Sequence, residues 1–203
     1  MYDLVERQTK NLVNCELYDE IAPHNAAHFV TAWKPLFDEK KAKLGSSGQL
    51  TDGAFKEFSL QDAHWEWPAK AAAVSSSSML HGFALEAQGM TQGLMIVVPF
   101  GVAREESQRG LPITEVMLLS TAPWNRHKLV DAPIYKGVGR ILLSAAISLS
   151  MEEEHNGRIG LHALSGAEDW YRDVCGMTDL GYDTNKKMQY FEMTEAQAKR
   201  FIS

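Results

Sequence analysis

Residues 132–154 read APIYKGVGRILLSAAISLSMEEE, a turn with two glycines followed by a long apolar segment. Gly137 and Gly139 allow backbone conformations and close approaches that a β-carbon would block. The first N–H groups of a helix are unpaired and carry partial positive charge, so a helix that begins here could bind a diphosphate. We predict a helix over residues 138–154, with an apolar face formed by Ile141, Leu142, Ala145, Ala146 and Leu149.

Known phosphate-binding patterns fit this turn only in part. Lys136 and Arg140 flank the glycines and can add positive charge. The pattern GxxxxGKS/T is absent, and GxGxxG begins at Gly137 but has Leu142 where its third glycine belongs. On these residues alone, a tight strand-to-helix turn that binds nothing is an equal alternative.

The segments around the turn predict a mixed sheet. Residues 79–89 and 93–102 form two apolar runs joined by a turn, which predicts a hairpin, and residues 113–121 (ITEVMLLST) predict a third strand. Further on, we predict a strand at 157–164, a helix at 166–176 and a strand at 186–193. The first third predicts a strand at 11–21, a helix at 23–44 and a loop at 45–53. The predicted class is α/β (α+β), a mixed central sheet packed on helices.

Composition limits the classes of function. The 203 residues suit one domain over residues 1–203, and the net charge of −6 argues against general nucleic-acid binding. The charged start has no signal-peptide core, and no apolar run approaches the roughly 18 residues of a membrane span. Cys15 and Cys175 form no CxxC pattern and are expected to be buried, reduced thiols. We expect a cytoplasmic protein without nucleic-acid or membrane partners, and both a monomer and a homodimer stay open.

The C-terminal half resembles the GNAT superfamily of acyl-CoA-dependent N-acyltransferases, in its bacterial form. In that family a central strand leads into a loop of the form Q/R-x-x-G-x-G/A, which residues 134–139 (IYKGVG) match except at Ile134. A helix, a strand and a second helix follow, and the last carries a tyrosine ahead of a glycine ending, here Tyr171 and Gly176. The resemblance covers about residues 81–193, whereas residues 1–80 are divergent and are expected on the acceptor side.

This resemblance implies acetyl-CoA as the co-substrate. Its acyl-pantetheine arm would enter between two splayed parallel strands and bind the main chain of residues 117–120, while the glycine loop binds the diphosphate. Ser165 stands where many members have an asparagine that reaches the pantetheine. The expected coenzyme-binding residues are Met117, Leu118, Leu119, Ser120, Tyr135, Lys136, Gly137, Val138, Gly139, Arg140 and Ser165. The connector at residues 123–135 could form a basic lid through Asn125, Arg126, His127 and Lys128.

Acyl transfer to an amine needs a base, an acid and stabilisation of the carbonyl oxygen. Glu115 lies in an apolar strand, where partial burial would raise its pKa, and the resemblance often has an acidic base here, acting directly or through water. A solvated carboxylate is the alternative. The resemblance implies that Tyr171 protonates the coenzyme sulfur, whereas a half-buried core tyrosine is the alternative.

We therefore interpret the chain as an acetyl-CoA-dependent N-acetyltransferase that moves an acetyl group to a primary amine by direct attack in a ternary complex. The acidic net charge favours a cationic acceptor, either a small molecule or a protein amine. No metal is expected, because His24 and His28 share a helix face without a third ligand at a recognisable spacing. The alternative is a non-catalytic GNAT-fold module that binds coenzyme A or a partner protein.

Overall fold

A computed structural model describes residues 2–203, which form nine β-strands and six α-helices. The strands are β1 (Tyr2–Glu6), β2 (Leu12–Tyr18), β3 (His81–Ala87), β4 (Met90–Val102), β5 (Pro112–Thr121), β6 (Tyr135–Lys136), β7 (Ile159–Ala163), β8 (Thr178–Asp183) and β9 (Met188–Met193). The helices are α1 (Pro23–His28), α2 (Lys34–Ser46), α3 (Asp52–Glu57), α4 (Trp67–Ser75), α5 (Val138–Glu152) and α6 (Glu195–Ile202).

The chain divides into two compact units. The first unit comprises residues 2–78, 82–94 and 120–139, and the second comprises residues 79–81, 95–119 and 140–203. Strands β4 and β5 each contribute residues to both units. The single domain over residues 1–203 stays a prediction.

The first unit orders its strands β6-β1-β2-β3-β4. Strand β1 pairs antiparallel with β2 and with β6, where Glu6 lies opposite Tyr135. A π-helical turn, Phe29–Trp33, joins α1 to α2 and widens the helix locally. Aromatic residues repeat every four positions from this turn into α2. Phe29, Trp33 and Phe37 are all buried, and the ring centroids of Phe29 and Trp33 are 5.8 Å apart.

The second unit orders its strands β4-β5-β7-β9-β8. Strand β7 is parallel to β5 and antiparallel to β9, which makes the sheet mixed. The apolar face expected for α5 is buried: Ile141, Leu142, Ala145, Ala146 and Leu149 are each at most 8% exposed. Helix α6 begins with a capping box, in which Thr194 accepts from the backbone N–H of Gln197 and Gln197 accepts from that of Thr194.

The predicted fold class is confirmed as a mixed α/β arrangement with a central mixed sheet flanked by helices. Some elements differ from the prediction. The helix expected at 166–176 is a short segment with a π-helical part, Trp170–Val174, and part of the loop expected at 45–53 belongs to α2 and α3. Four elements were not predicted: strands β1, β6 and β8 and helix α6. All four are short, and β6 depends on a partner far away in the chain.

Both cysteines are free and buried, as expected. Burial is the main cause that raises the pKa of Cys15 to about 11 and that of Cys175 to about 12. Across residues 2–203, no helix combines the length and the apolar character that crossing a membrane requires.

Candidate functional site

Strands β5 and β7 are parallel partners only over a short stretch. The paired residues are Thr114–Val116 on β5 and Ile159–Leu161 on β7, while β5 continues to Thr121 and β7 to Ala163. The main chain of residues 117–119 therefore lies beyond the parallel pairing, and Met117 is 55% exposed. Backbone N–H and C=O groups in such a position can bind an extended ligand as an added strand. This is the strand pair that the family resemblance implied to be splayed.

Glu115 is the next-to-last paired residue of β5, and a glycine lies beside it on each neighbouring strand. It is opposite Gly160 on β7, and its side chain lies against Gly101 of β4. A β-carbon added at Gly101 would come 2.6 Å from Cγ of Glu115, so only glycine leaves room for this carboxylate. The residue is half-buried, in contrast with the fully solvated carboxylate that was the alternative.

The Glu115 side chain lines a cleft of about 630 Å³. The other walls are residues 100–104 at the end of β4, and Arg109 and Gly110 in the connection to β5. The cleft therefore contains one carboxylate and two guanidinium groups. All of its lining residues belong to the second unit.

Arg104 is held by two contacts. Its Nη1 donates to Oδ2 of Asp183 at 2.9 Å, and its guanidinium lies over the Tyr190 ring, 4.2 Å from the centroid. Asp183 also contacts Nε2 of His162 at 3.1 Å. The hydrogen bond from Arg104, followed by that of His162, holds the pKa of Asp183 well below its usual range.

The connection between β4 and β5 is anchored by Glu192 of β9. This carboxylate is fully buried and accepts from the backbone N–H of Arg104 at 2.6 Å, the backbone N–H of Glu105 at 2.9 Å and the side-chain amide of Gln108 at 3.0 Å. Sequence analysis missed Glu192, because a single acidic residue within the apolar run YFEM gives no sign of its partners. Its three donors satisfy a charge that would otherwise be costly to bury.

Tyr190 lies on the same face of the sheet as Glu115, and its hydroxyl is close to Gly160. The residue is 2% exposed, and within residues 2–203 its hydroxyl makes no hydrogen bond. A β-carbon added at Gly160 would come 2.5 Å from that oxygen. Burial, together with the negative charges of Glu192 and Glu115, raises the pKa of Tyr190 above its usual range.

Tyr171 is buried on the opposite face of the sheet from Glu115. Its ring is 5.9 Å from that of Phe191, which pairs with Leu161, and Leu161 is the neighbour of Gly160 and points to the other face. Burial, and to a smaller extent Cys175, raises the pKa of Tyr171, so its hydroxyl keeps its proton at neutral pH. Tyr171 is 8% exposed, and its ring lies next to the rings of Trp170 and Phe191.

The glycine turn has the backbone that its sequence predicted. Gly137 has φ of +111°, which residues with a side chain adopt only with strain. Helix α5 begins at the next residue, and Gly139 lies in its first turn. That turn contains no acidic residue, and Lys136 is exposed. A diphosphate at these N–H groups would therefore meet no carboxylate from the first turn of α5.

Tyr135 and Arg140, at the two ends of the turn, are held by protein contacts. The backbone N–H of Tyr135 donates to Asn125 Oδ1 at 2.9 Å, and its hydroxyl donates to Gln88 Oε1 at 3.0 Å. The Arg140 guanidinium stacks over the Phe201 ring at 4.4 Å and donates to the Phe201 carbonyl oxygen. Ser165 is exposed in the loop that follows β7.

The proposed basic lid needs a correction at Arg126. This guanidinium binds the buried carboxylate of Asp62 through both oxygens, at 2.7 and 2.6 Å, and donates to the carbonyl oxygens of Ser59 and Thr121. It also donates to the hydroxyl of Ser120, which donates to Asp62 at 2.5 Å. With its donors used in this way, Arg126 is part of the core of the first unit, and sequence could not reveal a partner that lies 64 positions away.

His24 and His28 are held by other side chains. His24 contacts Glu86, and Nδ1 of His28 lies 2.9 Å from the hydroxyl of Thr91. Within residues 2–203, no group of three or more histidine, cysteine, aspartate or glutamate side chains is arranged to hold a metal ion.

Comparisons with known proteins bear on the fold. No family model and no curated protein sequence matches the chain. Among solved structures, the chain is similar to the PaiA N-acetyltransferase from Thermoplasma acidophilum in complex with coenzyme A, at 12% identity, with 89% of this chain and 99% of that chain covered and a TM-score of 0.50.

Two further structures give the same result. One is a protein from Desulfovibrio desulfuricans assigned to the GNAT family of acetyltransferases, at 10% identity, 90% and 99% coverage and a TM-score of 0.51. The other is FeeM, an N-acyl amino acid synthase from uncultured soil microbes, at 10% identity, 93% and 94% coverage and a TM-score of 0.52. At these identities the likeness concerns the fold, and the protein has the fold of the GNAT acetyltransferases.

Proposed function

We propose that the protein transfers an acetyl group from acetyl-CoA to a primary amine by direct attack in a ternary complex. The observation that carries this proposal is the position of Glu115. It lines a cleft and lies one residue before the parallel pairing of β5 and β7 ends. A carboxylate at that point can accept a proton from an amine that approaches a thioester bound along β5.

The segments that would hold acetyl-CoA have a suitable chemical character. The main chain of residues 117–120 would bind the pantetheine amides, and the turn at residues 135–140 would bind the diphosphate through N–H groups and Lys136. Gly137 supports this, since its φ of +111° orients the backbone in a way that other residues adopt only with strain. Bound in this way, the coenzyme supplies an acyl group activated as a thioester.

The chain's own groups then move the protons. The ammonium of the acceptor first loses one proton to solvent. Glu115 accepts a second proton from the nitrogen, either directly or through a water molecule, as the neutral amine attacks. Backbone N–H groups of β5 stabilise negative charge on the carbonyl oxygen as the new C–N bond forms. Tyr171, on the other face of the sheet, donates its proton to the sulfur as the C–S bond breaks. Glu115 then releases the proton that it accepted to solvent, and the Tyr171 phenolate takes a proton from solvent, which restores both groups. No metal is needed for these steps, and the proposal places the reaction in the cytoplasm.

Similar proteins support the choice of an enzyme over a binding module. PaiA is an N-acetyltransferase solved with coenzyme A, and FeeM is an N-acyl amino acid synthase. Within this chain, Glu115 lines a cleft, as a base requires, and the missing side chain at Gly101 leaves room for its carboxylate. Burial raises the pKa of Tyr171, which suits an acid that must keep its proton until the sulfur takes it.

The test separates binding from catalysis. Calorimetry with acetyl-CoA and with free coenzyme A measures binding, and release of free thiol in the presence of a panel of amines measures transfer. We expect binding of both coenzymes and transfer to some of the amines. The Glu115→Gln variant should bind acetyl-CoA as the native protein does but lose about 10²-fold or more in rate. Absence of heat with either coenzyme would end the proposal, and full activity of Glu115→Gln would remove Glu115 as the base.

A further inference from the structure

The cleft beside Glu115 contains charges of both signs, although the chain as a whole is acidic. We propose that this cleft binds an acceptor that carries a carboxylate as well as its primary amine, with the amine at Glu115 and the carboxylate at Arg109. The ligand class is a small zwitterion of the amino-acid type. This inference rests on the proposed function, because it names the acceptor of that same reaction.

The two arginines of the cleft differ in their partners. Arg104 already has an ion pair with Asp183 and lies over the Tyr190 ring, so its charge is largely neutralised within the protein. Arg109 is exposed and takes part in none of the ion pairs formed by residues 2–203. Its guanidinium is therefore available for an anionic group, and a planar guanidinium is well suited to bind a carboxylate through two hydrogen bonds.

The connection that carries Arg109 is held in place by hydrogen bonds. The backbone N–H of Ala103 donates to Leu111 at 2.9 Å, and that of Gly110 donates to Ala103 at 2.9 Å. The Glu192 carboxylate accepts three further hydrogen bonds from this connection. Because the backbone on both sides of Arg109 is fixed, binding of a carboxylate would require little loss of backbone entropy in this connection.

Charge also argues against a polycationic acceptor. The net charge of −6 favoured such an acceptor at the level of sequence. In the cleft, however, a second ammonium group of the acceptor would meet the unpaired charge of Arg109 after the first had reached Glu115. Like charges at close range disfavour that ligand, and the same arrangement favours a zwitterion. The exposed side chains of Phe100 and Val102 add apolar surface for the body of the acceptor.

A binding experiment tests this without requiring turnover. Each of the common amino acids is compared with the amine obtained by removing its carboxylate, by calorimetry on the full chain saturated with free coenzyme A. We expect at least one amino acid to bind about tenfold or more tightly than its decarboxylated partner. Arg109→Gln should abolish this preference, Arg109→Lys should keep part of it, and Arg200→Gln, an exposed change on α6, should leave it intact.

The outcomes separate the two proposals. If no amino acid binds better than its decarboxylated partner, or if Arg109→Gln keeps the preference, the zwitterion assignment is wrong. If the preference depends on Arg109 but no amine receives an acetyl group, the ligand class stands and the proposed reaction fails. If transfer occurs with decarboxylated amines as efficiently as with amino acids, the reaction stands and the ligand class fails. Arg109 is exposed, so these variants are expected to fold.

Discussion

Gly101 and Glu115 lie so close together on neighbouring strands that a β-carbon at Gly101 would come 2.6 Å from Cγ of Glu115 and 3.0 Å from its Oε1. The same β-carbon would come 2.7 Å from Cγ2 of Ile113, which is fully buried. Ile113 belongs to the core and cannot move far, so a side chain at position 101 would have to displace the Glu115 side chain. The position of the proposed base is thus determined by the absence of a side chain on the adjacent strand.

The first prediction concerns this pair. Gly101→Ala should displace the Glu115 carboxylate and lower the rate of thiol release by about 10²-fold, since a shift of about 1 Å in a reacting group can have that effect. Overpacking should also cost about 1–3 kcal/mol of the free energy of unfolding, measured with urea. Gly45→Ala in α2 is the control, because its β-carbon would have only Leu50 Cδ2 at 4.0 Å. A Gly101→Ala protein with native turnover would contradict the role of Glu115.

The second prediction concerns Tyr171. Tyr171→Phe should keep the ring contacts with Trp170 and Phe191 but remove the proposed acid, so the maximal rate should fall about 10²-fold while coenzyme affinity is nearly unchanged. Because burial raises the pKa of Tyr171 above the ordinary 10.0, its ionisation should not reduce the native rate below about pH 10. Tyr182→Phe, at a side chain that is 61% exposed, is the control. Unchanged turnover in Tyr171→Phe would remove this residue from the mechanism.

A third prediction addresses the glycine turn. Gly139→Val should place a branched side chain in the first turn of α5 and weaken coenzyme binding about tenfold or more by crowding the diphosphate. Ser144→Val, in the same helix, provides the control for the helix propensity of valine. Calorimetry measures both, and thermal unfolding shows that each variant is folded. Native affinity in folded Gly139→Val would place the phosphates elsewhere.

A fourth prediction separates structure from ligand binding at Arg126. Arg126→Met leaves the Asp62 carboxylate, whose side chain is 4% exposed, without its cationic partner, and should lower the free energy of unfolding by about 3–5 kcal/mol. Lys34→Met, in an ion pair whose side chains are 39% and 62% exposed, should have a much smaller effect. Denaturant unfolding measures both variants. Equal stability of the two would contradict the structural role assigned to Arg126.

Local pattern was sufficient for the elements with strong periodicity. The helix expected at 138–154 is α5, Val138–Glu152, and the strand expected at 113–121 is β5, Pro112–Thr121. The hairpin expected from residues 79–102 is formed by β3 and β4. For α5, the residues that the pattern assigns to one face are also those that are buried, so local and tertiary preferences agree.

Elements that depend on distant partners could not be predicted in this way. Strand β6 has only two residues and exists through its pairing with β1, about 130 positions earlier in the chain. The carboxylate of Glu192 is buried because its donors arrive from residues 84–88 positions away. At the candidate site, sequence indicated Glu115 but not the glycines beside it or Arg109 across the cleft, since these are neighbours only in three dimensions.

The two buried cysteines have a practical consequence for any assay that detects thiols. A thiol reacts with disulfide reagents as its thiolate, and pKa values of about 11 and 12 keep Cys15 and Cys175 almost entirely protonated near neutral pH. The folded protein should therefore contribute little background colour of its own when coenzyme release is followed with such a reagent. A slow signal that appears without any acyl donor would instead report unfolding, so a trace recorded without the donor checks the integrity of the sample.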